Sequence, residues 1–225
     1  AFSPGNQQQD FRVLDPACGS GSLLSAIYDA IMVRSGELTP EQQATQHRQL
    51  LETGLLGVDR DPMACLVTRL ILTLKGKEYV KPLGIFCGDI LTEELVAVQS
   101  VDVVIGNPPY VGHKEIQTDY MKQLKNRYGE VYRDKGDLSY CFIYRGWELL
   151  KPGGQLIHIT SRYFIEALYG KPLRAFIRKA FAIQEIVDFN GLRVIEGVGV
   201  DPAIIRLLKT NRIDDAQRIQ VKRFF

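Results

Sequence analysis

The chain is 225 residues long, 45% hydrophobic and 24% charged, with 20 glycines and 10 prolines. That balance excludes a disordered or collagen-like chain and leaves room for one large domain, or one and a half, with a buried core. Net charge is +2, from 28 Lys and Arg against 26 Asp and Glu, less basic than a free-standing nucleic-acid binder usually is, although a local patch acts whatever the average.

Phe11 to Leu14 reads as a first strand, running into Asp15-Pro16-Ala17-Cys18-Gly19-Ser20-Gly21. The next helix places Leu23, Leu24, Ile27 and Ile31 on one face. Residues 36–53 are polar, start a helix at Thr39-Pro40-Glu41, and read as an added surface helix. Leu55 to Val58 is a second strand closed by Asp59. Asp61-Pro62 then caps a helix whose apolar stripe is Met63, Leu66, Val67, Leu70, Ile71 and Leu74.

Ile85 to Cys87 is a short third strand before Gly88-Asp89. Val101 to Ile105, apolar on both faces but for Asp102, reads as a central fourth strand, followed at once by Asn107-Pro108-Pro109-Tyr110. Residues 111–136 are polar, a long loop or partial helix of the kind that is usually functional or mobile. A helix from Leu138 to Leu150 ends at Lys151-Pro152-Gly153-Gly154, and Gln155 to Ile159 is a fifth strand. Lys171 to Phe181 is helical, and strands near Ile183–Phe189 and Ala203–Leu208 form a closing hairpin. Strands alternating with helices give an α/β, Rossmann-like fold: a seven-stranded, mostly parallel sheet with helices on both faces.

No apolar run approaches the roughly 20 residues of a membrane span, and no segment has a secretory layout. The 4 cysteines, Cys18, Cys65, Cys87 and Cys141, lie far apart without a CxxC pair. No zinc or redox motif is expected from them, and reduced thiols in a cytoplasmic protein are the plain reading. The first residue is Ala1 rather than Met, as expected of an excised fragment.

A strand, a glycine loop and a helix open a nucleotide site, because glycines let the backbone approach a ligand and the helix start offers free amides. Gly19-x-Gly21 alone is weak. Leu24 stands where a dinucleotide fingerprint has Gly or Ala, and no Gly-Lys-Ser/Thr ending is present, so NAD and ATP lose ground. Asp59, at the end of the second strand, suits ribose hydroxyls, since a carboxylate accepts from both. Its plainer role is a helix cap, which Asp61 serves better. Asp89, at the end of the third, suits an adenine amine. Each acid alone reads as structural; three at successive strand ends do not.

The Asn107–Tyr110 segment carries the strongest signal. As structure it is a rigid turn, since two prolines cannot continue a ladder. Its chemistry is more specific. A nucleobase amine is a poor nucleophile because its lone pair is delocalised into the ring. The Asn107 side-chain oxygen and the Pro108 carbonyl can take both N–H bonds and localise that pair. Tyr110 offers a flat face to a base taken out of its stack.

In these ordered segments (DPACGSGSLL, GVDRDP, GDIL, NPPY and the stretch from Gly136 to Ser161) the sequence resembles the adenine-N6 DNA methyltransferases, most of all those fused to restriction endonucleases. The resemblance spans about residues 11 to 210. It implies S-adenosylmethionine as cofactor, its methionine part held by Asp15 and the loop Pro16, Ala17, Cys18, Gly19 and Gly21, its ribose by Asp59 and its adenine by Asp89. It implies Asn107, Pro108 and Tyr110 as catalytic residues for a flipped adenine in double-stranded DNA, with Asn107 also bordering the cofactor and no metal required. A 3-2-1-4-5 strand order brings the glycine loop and Asn107 together at the switch point.

Residues 1–10 are then a residual N-terminal segment, 11–210 the methyltransferase domain, and 211–225 the start of a linker to a target-recognition region, with a nuclease possible beyond. Two departures stand out. An upstream cofactor segment is reduced to Phe2-Ser3-Pro4, and Val194 to Gly199 lacks the aromatic that often backs the flipped base. Arg206, Lys209, Arg212, Arg218, Lys222 and Arg223 suit phosphates, although a solvated tail is the plainer reading. Two alternatives stay open: a methyltransferase acting on release-factor glutamine or ribosomal RNA guanine, and a catalytically silent module that binds cofactor or DNA.

Overall fold

The computed structural model describes residues 11–36, 38–76, 79–112, 115–133, 136–190, 192, 201–210 and 219–224. Its strands are β1 (Val13–Asp15), β2 (Leu55–Asp59), β3 (Ile85–Cys87), β4 (Val101–Gly106), β5 (Leu150–Ser161), β6 (Phe181–Asp188), β7 (Pro202–Lys209) and β8 (Gln220–Arg223). They form one sheet in the order β3-β2-β1-β4-β5-β7-β6-β8. The pairs from β3 to β5 are parallel, β7 runs antiparallel to both β5 and β6, and β8 is parallel to β6.

The architecture is therefore the expected α/β one, with eight strands among the described residues rather than seven. The extra strand, β8, lies in the stretch read as the start of a linker. Four residues, all exposed and two of them charged, are too few and too polar to show strand alternation. Residues 1–10, the 194–199 stretch, Arg212 and Arg218 lie outside the described residues.

Alternation along the central strands divides the core. Val13, Leu55 and Ile85 face one cluster with Leu24 and Tyr28 of α1 (Ser22–Arg34) and Cys65 and Leu72 of α3 (Pro62–Thr73). Leu14, Leu56, Val104 and Leu156 face the other. There they meet Leu124 and Tyr128 of α4 (Thr118–Tyr128), Cys141 and Ile143 of α5 (Ser139–Leu149), and Phe176 of α7 (Lys171–Ala180). The polar stretch after α1 holds α2 (Pro40–Gln49), started by a capping box in which Thr39 and Gln42 bond reciprocally. A turn of π-helix, Leu50–Gly54, then leads into β2, and a short α6 (Tyr163–Glu166) follows β5.

One helix face departs from the reading. The structure buries Cys65, Thr68 and Leu72 of α3 and leaves Met63, Leu66, Leu70 and Leu74 exposed, Leu74 at 80%. The buried face carries the smaller Cys65 and Thr68 in its first half, where α3 lies close over the glycine loop and Thr68 bonds Gly19 O. No helix among the described residues is long and apolar enough to cross a membrane.

Candidate functional site

The parallel strands deliver their C-terminal ends to one edge, where the loops after β1, β2, β3 and β4 meet. They line a cavity of about 280 Å³ bounded by Pro16, Ala17, Asp59, Arg60, Asp89 and Asn107, and closed by residues of α4 and α5. A larger cavity, about 550 Å³, opens at the other end of the sheet beside Trp147 and Lys209 and holds none of the expected site residues.

The glycine loop is tied down from three sides. Cys18 N–H donates to Val58 O at 2.9 Å, Gly19 N–H donates to Asp59 Oδ2 at 2.8 Å, and the Thr68 hydroxyl donates to Gly19 O at 2.8 Å. Gly21 sits at φ +79° and caps α1, a left-handed conformation that favours glycine. Gly106, the last residue of β4, is equally constrained: a Cβ there would stand 3.0 Å from Asp15 Oδ1 and 3.2 Å from Pro16 Cδ. Thus the β4 end, carrying Asn107, is packed directly on the β1 loop.

The acids have distinct surroundings. Asp15 is 2% exposed; its Oδ1 accepts from Ala17 N–H at 3.1 Å. Burial, with Asp59 nearby, raises its pKa to about 7. Asp59 serves the fold as well as the cavity, because Oδ1 also accepts from Asp61 N–H at 3.0 Å. Each carboxylate oxygen can accept a second bond, so Asp59 remains a competent partner for vicinal hydroxyls. Asp61 caps α3 as expected, accepting from Met63 N–H at 2.8 Å.

Asp89 Oδ1 accepts from Leu91 N–H at 3.0 Å. Its loop is braced by Arg145, a 1%-exposed cation on α5 that donates to Ile90 O at 3.0 Å and pairs with Glu94 and Glu148. Tyr128 adds a 2.6 Å bond to Leu91 O.

Asn107 projects at the rim, Pro108 is buried and Tyr110 is half-buried. The Tyr110 hydroxyl donates to Asn107 Oδ1 at 2.6 Å, so the acceptor expected to meet a substrate amine is engaged within its own turn. Burial, with Asp137 nearby, pushes the Tyr110 phenol up to about 12, and it stays protonated as a donor.

Pro16, Ala17, Asp59, Asp89 and Asn107 line the cavity wall, while Asp15, Cys18, Gly19, Gly21, Pro108 and Tyr110 stand behind or beside it. Arg60, Tyr120, Leu138 and Phe142 line it as well: Arg60 belongs to GVDRDP and Leu138 and Phe142 to the Gly136–Ser161 stretch, where no role was expected of them, and Tyr120 lies outside every quoted segment. Of the basic residues named near the C-terminus, the described ones are occupied. Lys209 is buried and donates to Trp147 O and Leu150 O. Arg206 and Lys222 pair with Glu185, and Arg223 pairs with Asp188.

A glycine loop against a helix start, a carboxylate at each of the next two strand ends and a polar-aromatic turn opposite fit an adenosine-bearing cofactor facing a second planar substrate. Comparison with known proteins agrees. Residues 89–195 match the Eco57I restriction-modification methylase family. The chain is 31% identical over 227 residues to the type II methyltransferase M.BstVI of Geobacillus stearothermophilus, covering 95% of this chain and 39% of that protein. It is 25% identical over 266 residues to the adenine-specific methyltransferase PglX of Streptomyces coelicolor, covering 93% of this chain and 21% of that protein.

Among solved structures, a Listeria monocytogenes protein described as a class I S-adenosylmethionine-dependent methyltransferase superposes with a TM-score of 0.70 at 20% identity, covering 96% of this chain and 59% of that one. The ATP-dependent type ISP restriction-modification enzyme LlaBIII, bound to DNA, superposes at 0.72 and 16% identity, covering 96% of this chain and 18% of that one. The chain thus spans well under half the length of the curated relatives named here. Residues 89–195 thus match the model of the Eco57I restriction-modification methylase family, the chain is similar in sequence to type II methyltransferases, and its fold is the one these solved structures share.

Proposed function

We propose that this chain is the catalytic domain of a cytoplasmic DNA methyltransferase of a restriction-modification or related defence system, which methylates the exocyclic amine of adenine with S-adenosylmethionine. The observation that carries the reading is the shared cavity: the Asp59 and Asp89 strand ends and Asn107 open onto one space of about 280 Å³. The adenine-specific name of one relative supports the choice of base.

The cofactor supplies a methyl group made electrophilic by a sulfonium. Asp15 and the 16–21 loop hold its methionine end, Asp59 its ribose and Asp89 its adenine. On the substrate side, Asn107 Oδ1 and the Pro108 carbonyl accept the two N–H bonds of the target amine, and Tyr110 stacks on the extruded base. The amine itself attacks, so no cysteine forms a covalent intermediate. Because Tyr110 donates to Asn107 Oδ1 at 2.6 Å, arrival of the base exchanges one donor for another at that oxygen.

The domain covers residues 11–210, extended by β8. DNA recognition, and any nuclease, would reside in linked regions outside it. Calorimetric titration with S-adenosylhomocysteine tests the cofactor half of the reading; absence of binding to the full-length protein would refute it.

A further inference from the structure

The segment after β5 leaves the sheet at the same edge as the Asn107 turn. β4 and β5 are parallel neighbours, with Gly106 opposite His158, so Asn107 and Arg162 emerge from adjacent strand ends. Both chains pass onto one sheet face, since Val111 and Ile165 pack against the same core cluster. The second of them forms a corner, made of α6 and a turn of 3-10 helix, Leu168–Gly170, ahead of α7.

This corner is pinned. From α7, Arg174 Nη1 donates to Phe164 O at 2.7 Å and to Ala167 O at 2.9 Å. Ala167 N–H donates to Tyr163 O at 2.8 Å, and the Phe164 side chain is buried in the core. The backbone closes so tightly that a Cβ on Gly170 would stand 2.5 Å from Phe164 O. On this fixed frame Leu168 is 76% exposed, Tyr163 55% and Tyr169 39%. One exposed leucine is ordinary. Three large side chains within seven residues of a pinned corner are the kind of patch that marks a binding surface.

Charge identifies the partner. Residues 161–180 hold five basic residues and one acid, in a chain whose net charge is +2. The acid, Glu166, is paired with Arg162 at 2.8 Å. Lys171 and Arg178 are exposed, and seven residues apart they share one face of α7. An apolar tip bordered by cations fits a polyanion whose interior is a stack of bases, which is duplex DNA.

We propose that this corner is the wedge that opens the duplex: Leu168 enters the stack where the target adenine leaves it, with Tyr163 beside it and Lys171 and Arg178 on backbone phosphates. This rests on the reading of the chain as a DNA adenine methyltransferase that acts on an extruded base. Extrusion costs the unstacking of one nucleotide, and an apolar side chain in the gap restores part of that contact. Because the corner is already ordered, little is lost in fixing it on entry. The wedge opens DNA without reading it, and sequence choice stays with the linked regions.

The test is single-turnover methylation by the full-length protein and its Leu168→Ala variant, at saturating S-adenosylmethionine, on two duplexes holding the protein's methylation site. In one the target adenine faces thymine. In the other it faces an abasic position, so it has no pairing partner and leaves the stack at less cost. Truncating so exposed a side chain spares the fold, which unchanged thermal unfolding checks. The expected result is a loss of about tenfold for Leu168→Ala on the first duplex, within the worth of one stacking contact. Rates on the second should be near parental, and Leu168→Met should recover the first. An unchanged rate on the first duplex would overturn the proposal. So would an equal loss on both, which would make Leu168 a support of the catalytic turn and not a wedge. A parent protein that methylates no adenine in DNA overturns the methyltransferase reading itself, and this inference with it.

Discussion

Gly21→Ala probes the glycine loop at its most constrained point. The residue sits at φ +79°, a conformation that costs an L-residue roughly 1–2 kcal/mol. A Cβ built there would lie 2.7 Å from Thr68 Cγ2 and 2.8 Å from Thr68 Oγ1. Neither partner yields easily, because Thr68 is fully buried on α3 and its hydroxyl holds Gly19 O at 2.8 Å. Overpacking of this kind costs roughly 1–3 kcal/mol. The stiffer unfolded chain returns about 0.4–1 kcal/mol. The expected net destabilisation is therefore about 3 kcal/mol.

The Thr68→Ala background separates the two causes. Alone it should cost about 1 kcal/mol, for the hydrogen bond to Gly19. In its presence the Gly21→Ala cost should fall to roughly 1–2 kcal/mol, since the strain remains and the two shortest contacts are gone. Urea unfolding followed by the fluorescence of Trp147, the single tryptophan, measures all four corners of the cycle. Strict additivity, or a Gly21→Ala cost below about 0.5 kcal/mol, would refute the steric argument.

Asn107→Ala should slow single-turnover methyl transfer by about a hundredfold or more while leaving cofactor affinity nearly unchanged, by analogy with loss of one preorganised partner in a transition state. Asp15 gives a pH signature. Its carboxyl is raised from 3.8 to about 7 by burial, so its contribution to stability is present below about pH 4 and is lost as pH rises through about 7. Urea midpoints taken across that window should decline in the parent and lose that component in Asp15→Asn. Arg145→Lys keeps the charge but loses the fork that holds Ile90 O and pairs with Glu94 and Glu148. Calorimetry should show weaker cofactor binding as the Asp89 loop loosens, and thermal unfolding a loss of about 1.5–3 kcal/mol, the worth of charged hydrogen bonds.

What could be read from sequence was local. Asp15 to Gly21 and Asn107 to Tyr110 declare themselves because glycine, proline and asparagine act within their own turn, and the strand runs before them fix which sheet edge they reach. The α3 face was misread because an apolar stripe shows that a helix has a sticky side, not that this side meets the sheet. Cys65 and Thr68 win in its first half because a close approach to the glycine loop admits only modest side chains. Tyr120 was invisible for another reason. It lies in a polar segment without a period, and it joins the cavity wall only because α4 sets its ring against Arg60, 60 residues away in sequence. The bond from Tyr110 to Asn107 was likewise beyond reach, since the motif gives the residues and not the state of the turn.

The most direct measurement of the central claim is methyl transfer itself. The full-length protein is incubated with duplex DNA and S-adenosylmethionine carrying an isotopically labelled methyl group, and the DNA is digested to nucleosides for mass spectrometry. The expected result is label on the exocyclic nitrogen of adenine, abolished or slowed about a hundredfold by Asn107→Ala with cofactor binding retained. Label on cytosine alone, on RNA or on a protein glutamine, or adenine methylation that is indifferent to Asn107→Ala, would contradict it.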